Sequence, residues 1–228
     1  MTALLRAAGY LPLKVHYFNA RWIAFLIEKV IKYRVDVVDR NLRNSFPEKS
    51  DGERLEIRHK FYLHFAKIFT EAIWFGSCRS PRRLKRADIV KIKNPQTINS
   101  LYENAPGTVV MYSHAGNWEL LGGIESYTDT PICFKEDNFC VVYRRLSSRL
   151  WDEIMRDVRF APLKDRKNFN GYLESKVVIR HALQHRGEKK IYSMNTDQRP
   201  YFAGSGQIKL KFMNQECETM AGAASIAH

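Results

Sequence analysis

Cysteine is scarce in this sequence, and the cysteines do not follow the spacing of a metal site or a disulfide framework. The four cysteines form no CxxC pair, and no histidine stands near them at the spacing of zinc ligands. Zinc sites and the disulfide frameworks of small secreted domains both depend on such spacing. The sequence therefore predicts free thiols in a reducing compartment. We expect no metal site, and the sequence indicates no cofactor.

Long apolar runs are also missing. No stretch of the 228 residues approaches the ~18 uninterrupted apolar residues of an unambiguous transmembrane helix. No small-residue cleavage site follows the N-terminal apolar run, so the pattern of a secretory signal peptide is incomplete. We therefore expect that the protein is not secreted.

Acidic residues are few in the first half of the chain. Lys and Arg number 37 against 24 Asp and Glu, a formal net charge of +13. The first 100 residues hold 20 basic and 9 acidic side chains, whereas the remaining 128 hold 17 and 15. An excess of basic residues confined to the first half of the chain indicates an anionic partner for that half. This partner could be nucleic acid, lipid headgroups or an acidic protein.

The N-terminal segment 10–33 is apolar and aromatic but is interrupted by charges such as Lys14, Arg21 and Glu28. This mixture suits a helix in a membrane interface, with Trp22 and the tyrosines at headgroup depth. It also suits an ordinary helix packed on the core, and the segment alone does not separate the two. A second helix, capped by Ser50 or Asp51, is predicted from about 53 to 76.

A dense basic cluster, RSPRRLKR, occupies residues 79–86. A nucleic-acid site would place such charge within a recognisable binding fold, and none is visible in the sequence. A solvated loop or a loop that faces lipid is the better interpretation.

From residue 100 onward, short apolar or β-branched runs alternate with helical segments. This alternation predicts an α/β fold with a mostly parallel sheet and crossover helices. The expected strands are 108–113, 139–143 and 190–194, the expected helices are 117–126, 147–158 and 170–186, and 208–212 is expected as a further strand near a sheet edge.

In open α/β sheets, functional residues lie at the carboxyl ends of the strands. The first strand leads directly into the sequence HAGNWE, which begins at His114. If Gly116 supplies a bend and Asn117 caps the next helix, Glu119 falls in its first turn and can fold back toward the imidazole. The carboxylate would then orient one ring nitrogen, so that the other acts as general base for a hydroxyl or amine. The alternative is a purely structural pair.

Two further candidates follow from the same rule. Asp197 comes after the third predicted strand and should lie near His114, where it could orient substrate, brace an arginine or simply cap a turn. Arg144 ends the second strand and is a candidate for contact with a phosphate group.

Several motifs in order resemble the lauroyl/myristoyl acyltransferases of lipid A biosynthesis. HAGNWE is similar to the HX4(D/E) signature of lipid acyltransferases. Between residues 33 and 47, the sequence YR is followed by VV, NL and SFP, as in the N-terminal block of the family. VYR at 142–144 is similar to a second family segment, and Asp197-Gln198 with Pro200 is similar to its DQ-x-P motif. Arg159 stands where the family carries a functional arginine.

The resemblance implies a glycerolipid-acyltransferase-like fold preceded by N-terminal membrane-interface helices. It also implies transfer of a fatty acyl chain from an acyl carrier protein to a hydroxyl of a lipid A precursor, at the cytoplasmic face of the bacterial inner membrane. The partners would be the acyl carrier protein, the glycolipid or lysolipid acceptor and the membrane surface, not nucleic acid. His114 and Glu119 would be the catalytic dyad, and Arg159 would bind an anionic headgroup or the oxyanion. Without the resemblance, a surface salt bridge of Arg159 with Asp157 or Glu153 is the simpler expectation.

On this interpretation residues 1–100 form a basic helical membrane-docking region and residues 101–228 an α/β acyltransferase core. Two departures stand out, because Arg145 replaces the proline that the family usually has after VYR, and the core is expected to be incomplete at its C-terminus. HX4(D/E) does not specify the acceptor, so a lysophospholipid or aminolipid remains an alternative. A non-catalytic basic membrane-binding protein that retains the fold is another.

Overall fold

The structure is a computed structural model that describes residues 3–163, 168–198 and 207–228. Its first hundred residues are helical. The helices are α1 (Ala3–Gly9), α2 (Leu13–Phe25), α3 (Val35–Ser45), α4 (Asp51–Phe75), α5 (Pro81–Ala87) and α6 (Pro95–Asn104), and α2 continues into one π-helical segment, Leu26–Val30. Within the described ranges, none of the helices combines the length and hydropathy needed to cross a membrane.

Local sequence explains where these helices begin. The cap predicted for the second helix is Ser50, whose hydroxyl accepts from the backbone N–H of Glu53 while the Glu53 carboxylate accepts from the backbone N–H of Ser50. This reciprocal capping box satisfies two N–H groups that a helix start leaves free. The helix expected within segment 10–33 is α2, which begins at Leu13, after Pro12, rather than at Tyr10.

Helices α2 and α4 pack against each other through small side chains. Ala20, Ala24 and Ala66 are buried in this contact together with the ring of Tyr62. The Tyr62 hydroxyl donates to the backbone oxygen of Tyr33 at 2.6 Å, so its buried polar atom has a partner.

A parallel sheet forms the second half, as predicted. Its strands β1 (Thr108–Tyr112), β2 (Phe139–Tyr143), β3 (Tyr172–Glu174) and β4 (Ile191–Asn195) lie in the order β1-β4-β2-β3, and all three pairings are parallel. The insertion of β4 between β1 and β2 brings the loops after β1 and β4 side by side at the carboxyl edge of the sheet.

Helices cover one face of this sheet, and a further apolar core lies among the other helices. On that face α8 (Val178–Gln184) and α9 (Gly222–Ala227) pack on a core that contains Cys140 and Tyr192. A second core joins α4, α5, a 3₁₀ segment at Trp118–Ser126 and α7 (Arg149–Arg159).

Three of the predicted elements need correction. The segment 170–186 is not one helix, because β3 forms first and α8 follows after a turn. The predicted helix 117–126 is a 3₁₀ segment with a kink at Gly123. The strand predicted at 208–212 exists as β5 (Gln207–Phe212), but it pairs with β6 (Gln215–Met220) in an antiparallel hairpin and not with the parallel sheet.

Candidate active site

The loops after β1 and β4 bring a histidine and a carboxylate together. Tyr112 and Asn195 are register partners at the ends of the two strands, and His114 and Asp197 each follow two residues later. Oδ2 of Asp197 accepts from the backbone N–H of His114 at 2.7 Å, and Oδ1 lies 2.6 Å from Nδ1 of the ring. The prediction that Asp197 lies near His114 is confirmed.

This contact determines which ring nitrogen can act as a base. Burial alone would raise the pKa of Asp197, but the hydrogen bonds and charge of His114 outweigh it and hold that pKa below its usual value. An ionised carboxylate only accepts hydrogen bonds, so Nδ1 carries a proton, and in the neutral ring Nε2 then presents its lone pair. The side chain of His114 is 28% exposed, and a substrate can therefore reach it.

The loop that carries His114 rests on α4. His64 Nε2 lies 2.8 Å from the backbone oxygen of Ala115, and the Asn117 amide donates to the backbone oxygen of Ile68 and to the Glu71 carboxylate. Asn117 does precede a helical segment, but its side chain forms these contacts instead of capping it. Gly116 does not adopt the positive φ that would require glycine.

A further hydrogen bond extends this support to α2. The Tyr17 hydroxyl donates to Glu71 at 2.8 Å, and burial together with Glu71 raises the pKa of Tyr17. His64, Glu71 and Tyr17 were not predicted from sequence as part of the site. Nothing in the sequence separates these three side chains from the other polar and charged residues of α2 and α4.

Glu119 forms a second, separate ion pair. Its two oxygens accept from Nε and Nη2 of Arg159, both at 2.7 Å, and Arg159 also donates through Nη1 to the Tyr172 hydroxyl. Glu119 is 6% exposed. Burial alone would lower the pKa of Arg159, but the hydrogen bonds and charge of Glu119 reverse that effect and raise it. Burial raises the pKa of Tyr172 to about 12.

The predicted contact between Glu119 and the imidazole is therefore wrong in its geometry. Glu119 is held by Arg159, and Asp197 occupies the position beside Nδ1 of His114. The physical reason is charge, because a buried carboxylate is best compensated by a bidentate guanidinium. The alternative partners of Arg159 are also wrong, since Glu153 pairs with Arg149 and Asp157 with Arg6. The catalytic roles of His114 and Glu119 remain predictions.

Arg144 lies just beyond the end of β2, at the same edge of the sheet as His114 and Asp197, and it is exposed. This is the position that the sequence predicted, and its role in binding remains a prediction. Of the DQ-x-P motif, Asp197 and Gln198 are described, whereas Pro200 lies outside the described residues.

A mainly apolar cavity of about 500 Å³ lies beside the first residues of β2, whereas Arg144 follows the other end of that strand. Arg159 lines one part of it, and Gly122 and Gly123 of the 3₁₀ segment line another. Its described apolar lining includes Phe134, Phe139, Val141, Phe160 and Phe169. The volume falls within the ~300–1,000 Å³ of typical small-molecule sites. One of the lining residues, Arg159, forms the ion pair with Glu119 of the 3₁₀ segment.

The fold and the site together define an α/β protein with a histidine–carboxylate pair at the carboxyl edge of a parallel sheet. The family model of the bacterial lipid A biosynthesis acyltransferases matches residues 1–193, so the chain belongs to that family. The resemblance seen in the sequence is thereby confirmed. A comparison with curated proteins gives no match.

Proposed function

We propose that this protein transfers a fatty acyl chain from an acyl carrier protein thioester to a hydroxyl of a lipid A precursor. The observation that carries the proposal is the geometry of His114, in a chain of the lipid A acyltransferase family. Its Nε2 presents a lone pair at a partly exposed sheet edge, while Asp197 holds Nδ1. A general base with this arrangement can activate a hydroxyl.

The proposed reaction needs no covalent enzyme intermediate. Nε2 of His114 removes the proton of the acceptor hydroxyl while that oxygen attacks the thioester carbonyl carbon. The resulting tetrahedral intermediate collapses, the C–S bond breaks, and the thiolate takes the proton from the imidazolium. The products are an ester on the acceptor and a free thiol on the carrier.

Arg159 and the adjoining cavity supply the proposed binding groups. The cavity is mainly apolar and suits an acyl chain. A guanidinium has five N–H groups, and within the described part of the chain Arg159 uses three of them on Glu119 and Tyr172. The others can donate to a carbonyl oxygen or an anionic headgroup, and Arg144 at the same edge is the second proposed contact for a phosphate.

The exposed faces of the helices support docking on a membrane surface. On α2, Phe18, Trp22 and Phe25 share one face at helical spacing and are 60%, 62% and 52% exposed. Exposed aromatic side chains in this number are unusual for a surface in contact with water alone, and they suit the headgroup region of a bilayer. We therefore propose residues 1–100 as the membrane-docking region and residues 101–228 as the catalytic core.

Exposed aromatic side chains also lie on α4, the helix that contacts the loop of His114. Phe65 and Phe69 are exposed there, and His64 of the same helix makes the contact with the loop. Phe69 packs edge-to-face on Trp151 of α7, with ring centroids 5.6 Å apart. We propose that an acceptor lipid in the membrane lies near the proposed base, and that the membrane is the inner one, at its cytoplasmic face, as the family resemblance implies.

The test is acyl transfer by the purified full chain in proteoliposomes, with acyl-acyl carrier protein and a lipid A precursor, followed by mass spectrometry of the lipid. We expect His114→Ala to abolish the mass increase while its association with the vesicles stays unchanged. His185→Ala is the matched control, because that histidine pairs with Glu188 on the surface. Undiminished transfer by His114→Ala would refute the mechanism, and transfer to a lysophospholipid in place of the lipid A precursor would refute the proposed acceptor.

A further inference from the structure

Two carboxylates lie near the loop of His114, and the structure gives them different partners. Asp197 contacts the histidine at two points, and Glu119 contacts Arg159 at two points. We propose that Asp197 is the positioning residue of His114, and that Glu119 acts on the site only through Arg159. This inference rests on the proposed function, because it concerns the same base.

The contact of Asp197 fixes both the ring and the loop. Because Oδ2 holds the backbone N–H of His114 while Oδ1 holds Nδ1, the carboxylate sets where the residue lies and how its imidazole is turned. The edge of the Trp118 ring system packs against this imidazole with centroids 4.2 Å apart, which restricts it from another side. One carboxylate thereby defines the tautomer that can accept a proton at Nε2.

Asp197 is itself held in place by the backbone around it. The N–H of Thr196 donates to the backbone oxygen of Tyr112 at 3.1 Å, so the β1–β4 ladder continues one residue beyond the strands. The backbone oxygen of Thr196 accepts from the Thr219 hydroxyl of β6 at 3.1 Å. The sheet and the β5–β6 hairpin thus place the Asp197 carboxylate, which is the kind of rigid support that a positioning residue needs.

Glu119 is not available for the same task. Both of its oxygens are used by a guanidinium, and its side chain is 5% exposed. If it turned toward His114, the Arg159 cation would lose its partner in a site where water compensates little. The pairing in the structure therefore leaves Asp197 as the carboxylate that orients the base.

The decisive variant is Asp197→Asn, compared with Glu119→Gln in the full chain. An asparagine that accepts from the backbone N–H of His114 places its NH₂ group against Nδ1. Nδ1 must then accept, and the proton moves to Nε2, the nitrogen that should act as base. We expect kcat to fall by ~10³–10⁴-fold, as for the loss of a histidine-orienting carboxylate in serine proteases, with KM changed less than about threefold.

The second readout does not depend on activity. ¹⁵N chemical shifts of histidine-labelled protein report the tautomer of the His114 ring, whose signal is identified by its loss in His114→Gln. We expect the Nδ1–H form in the wild type and in Glu119→Gln, the Nε2–H form in Asp197→Asn, and restoration of the Nδ1–H form in Asp197→Glu. Glu174→Gln is the control, because Glu174 ends β3 at the same edge and pairs with Lys176.

The outcomes are separable. A changed tautomer in Glu119→Gln, with the wild-type form kept in Asp197→Asn, would overturn the inference and restore the His114–Glu119 dyad. A wild-type chain that shows no acyl transfer would refute the proposed function, and the tautomer comparison would still decide which carboxylate orients His114. If Asp197→Asn does not fold, Glu119→Gln decides alone: the Nδ1–H form kept in that variant supports the inference, and its loss overturns it.

Discussion

The contact between α2 and α4 and the core of the parallel sheet bury side chains of different size. Between α2 and α4 the buried hydrophobic residues are three alanines and Tyr62, whereas Phe18, Trp22 and Phe25 of α2 are exposed. In the sheet region the buried residues are larger, such as Leu173, Tyr192 and Met194. The large aromatic side chains of α2 are therefore left on the surface of the α2–α4 pair, whereas the sheet buries its large apolar side chains.

The largest expected change in stability concerns Glu119 and Arg159. This ion pair is a polar contact in the region that mainly buries apolar side chains. We expect Glu119→Gln and Arg159→Met each to lower the free energy of unfolding by about 3 kcal/mol, because each leaves one buried group without its counterion. The double variant Glu119→Leu/Arg159→Met should cost clearly less than the sum of the single changes, since neither charge is then uncompensated. Urea denaturation in detergent measures all three.

Arg149→Met provides the matched control for these variants. Its pair with Glu153 is exposed, with side-chain exposures of 93% and 62%, so its loss should change stability by less than ~0.5 kcal/mol. If Arg149→Met and Arg159→Met lowered the free energy of unfolding equally, burial would not distinguish the two ion pairs. The cost at Arg159 would then have to come from its packing on Tyr172.

The sequence predicted the parallel sheet because three of its four strands are short apolar runs between helical segments. It missed β3, which has only three residues and leads into α8, so the pair reads as one helical segment. It also predicted β5 without its partner, since β6 reads QECETM and alternates polar with weakly apolar side chains. Pairing between such strands depends on the turn at Met213 and Asn214, where both residues adopt a positive φ.

The sequence predicted where the site lies, but it did not predict which side chains of the site contact each other. The carboxyl-end rule brought His114 and Asp197 together, although 83 residues separate them. The choice between Asp197 and Glu119 depended on Arg159, which lies 40 residues beyond Glu119 and reaches it only through the packing of α7. The support from His64 and Glu71 likewise follows from how α4 lies across the loop, and residue order does not specify that.

The next prediction sharpens the comparison at the exposed face of α2. We expect Phe18→Ser/Trp22→Ser/Phe25→Ser to weaken binding to anionic lipid vesicles at least tenfold, because about 1.4 kcal/mol corresponds to a factor of ten and one buried aromatic ring contributes more than that. The stability of the protein in detergent should change little, since these side chains are exposed. Vesicle sedimentation and thermal unfolding measure the two effects.

The control for this face lies on the other side of the same helix. Ala20 is fully buried against α4, so Ala20→Leu should lower stability by about 1–3 kcal/mol through overpacking. Its vesicle binding at a temperature where it is folded should remain close to that of the wild type. A triple serine variant that unfolds as readily as Ala20→Leu would instead identify the aromatic face as part of the core, which was the alternative left open by the sequence.

The smallest expected effect concerns Glu28, which lies buried between α2 and α4. Nε of Arg58 donates to it at 3.1 Å, Nδ1 of His59 lies 2.8 Å away, and Lys29 is within 3.3 Å. Burial alone would raise the pKa of Glu28, but these three partners outweigh it and hold that pKa below its usual value. Because the folded pKa lies below the unfolded one of ~4.3, the stabilisation is complete above that pH and is lost as the pH falls through the folded value. Unfolding free energies of the wild type and Glu28→Gln should therefore converge between pH 6 and pH 3, and parallel curves would show that the helices do not depend on this charge.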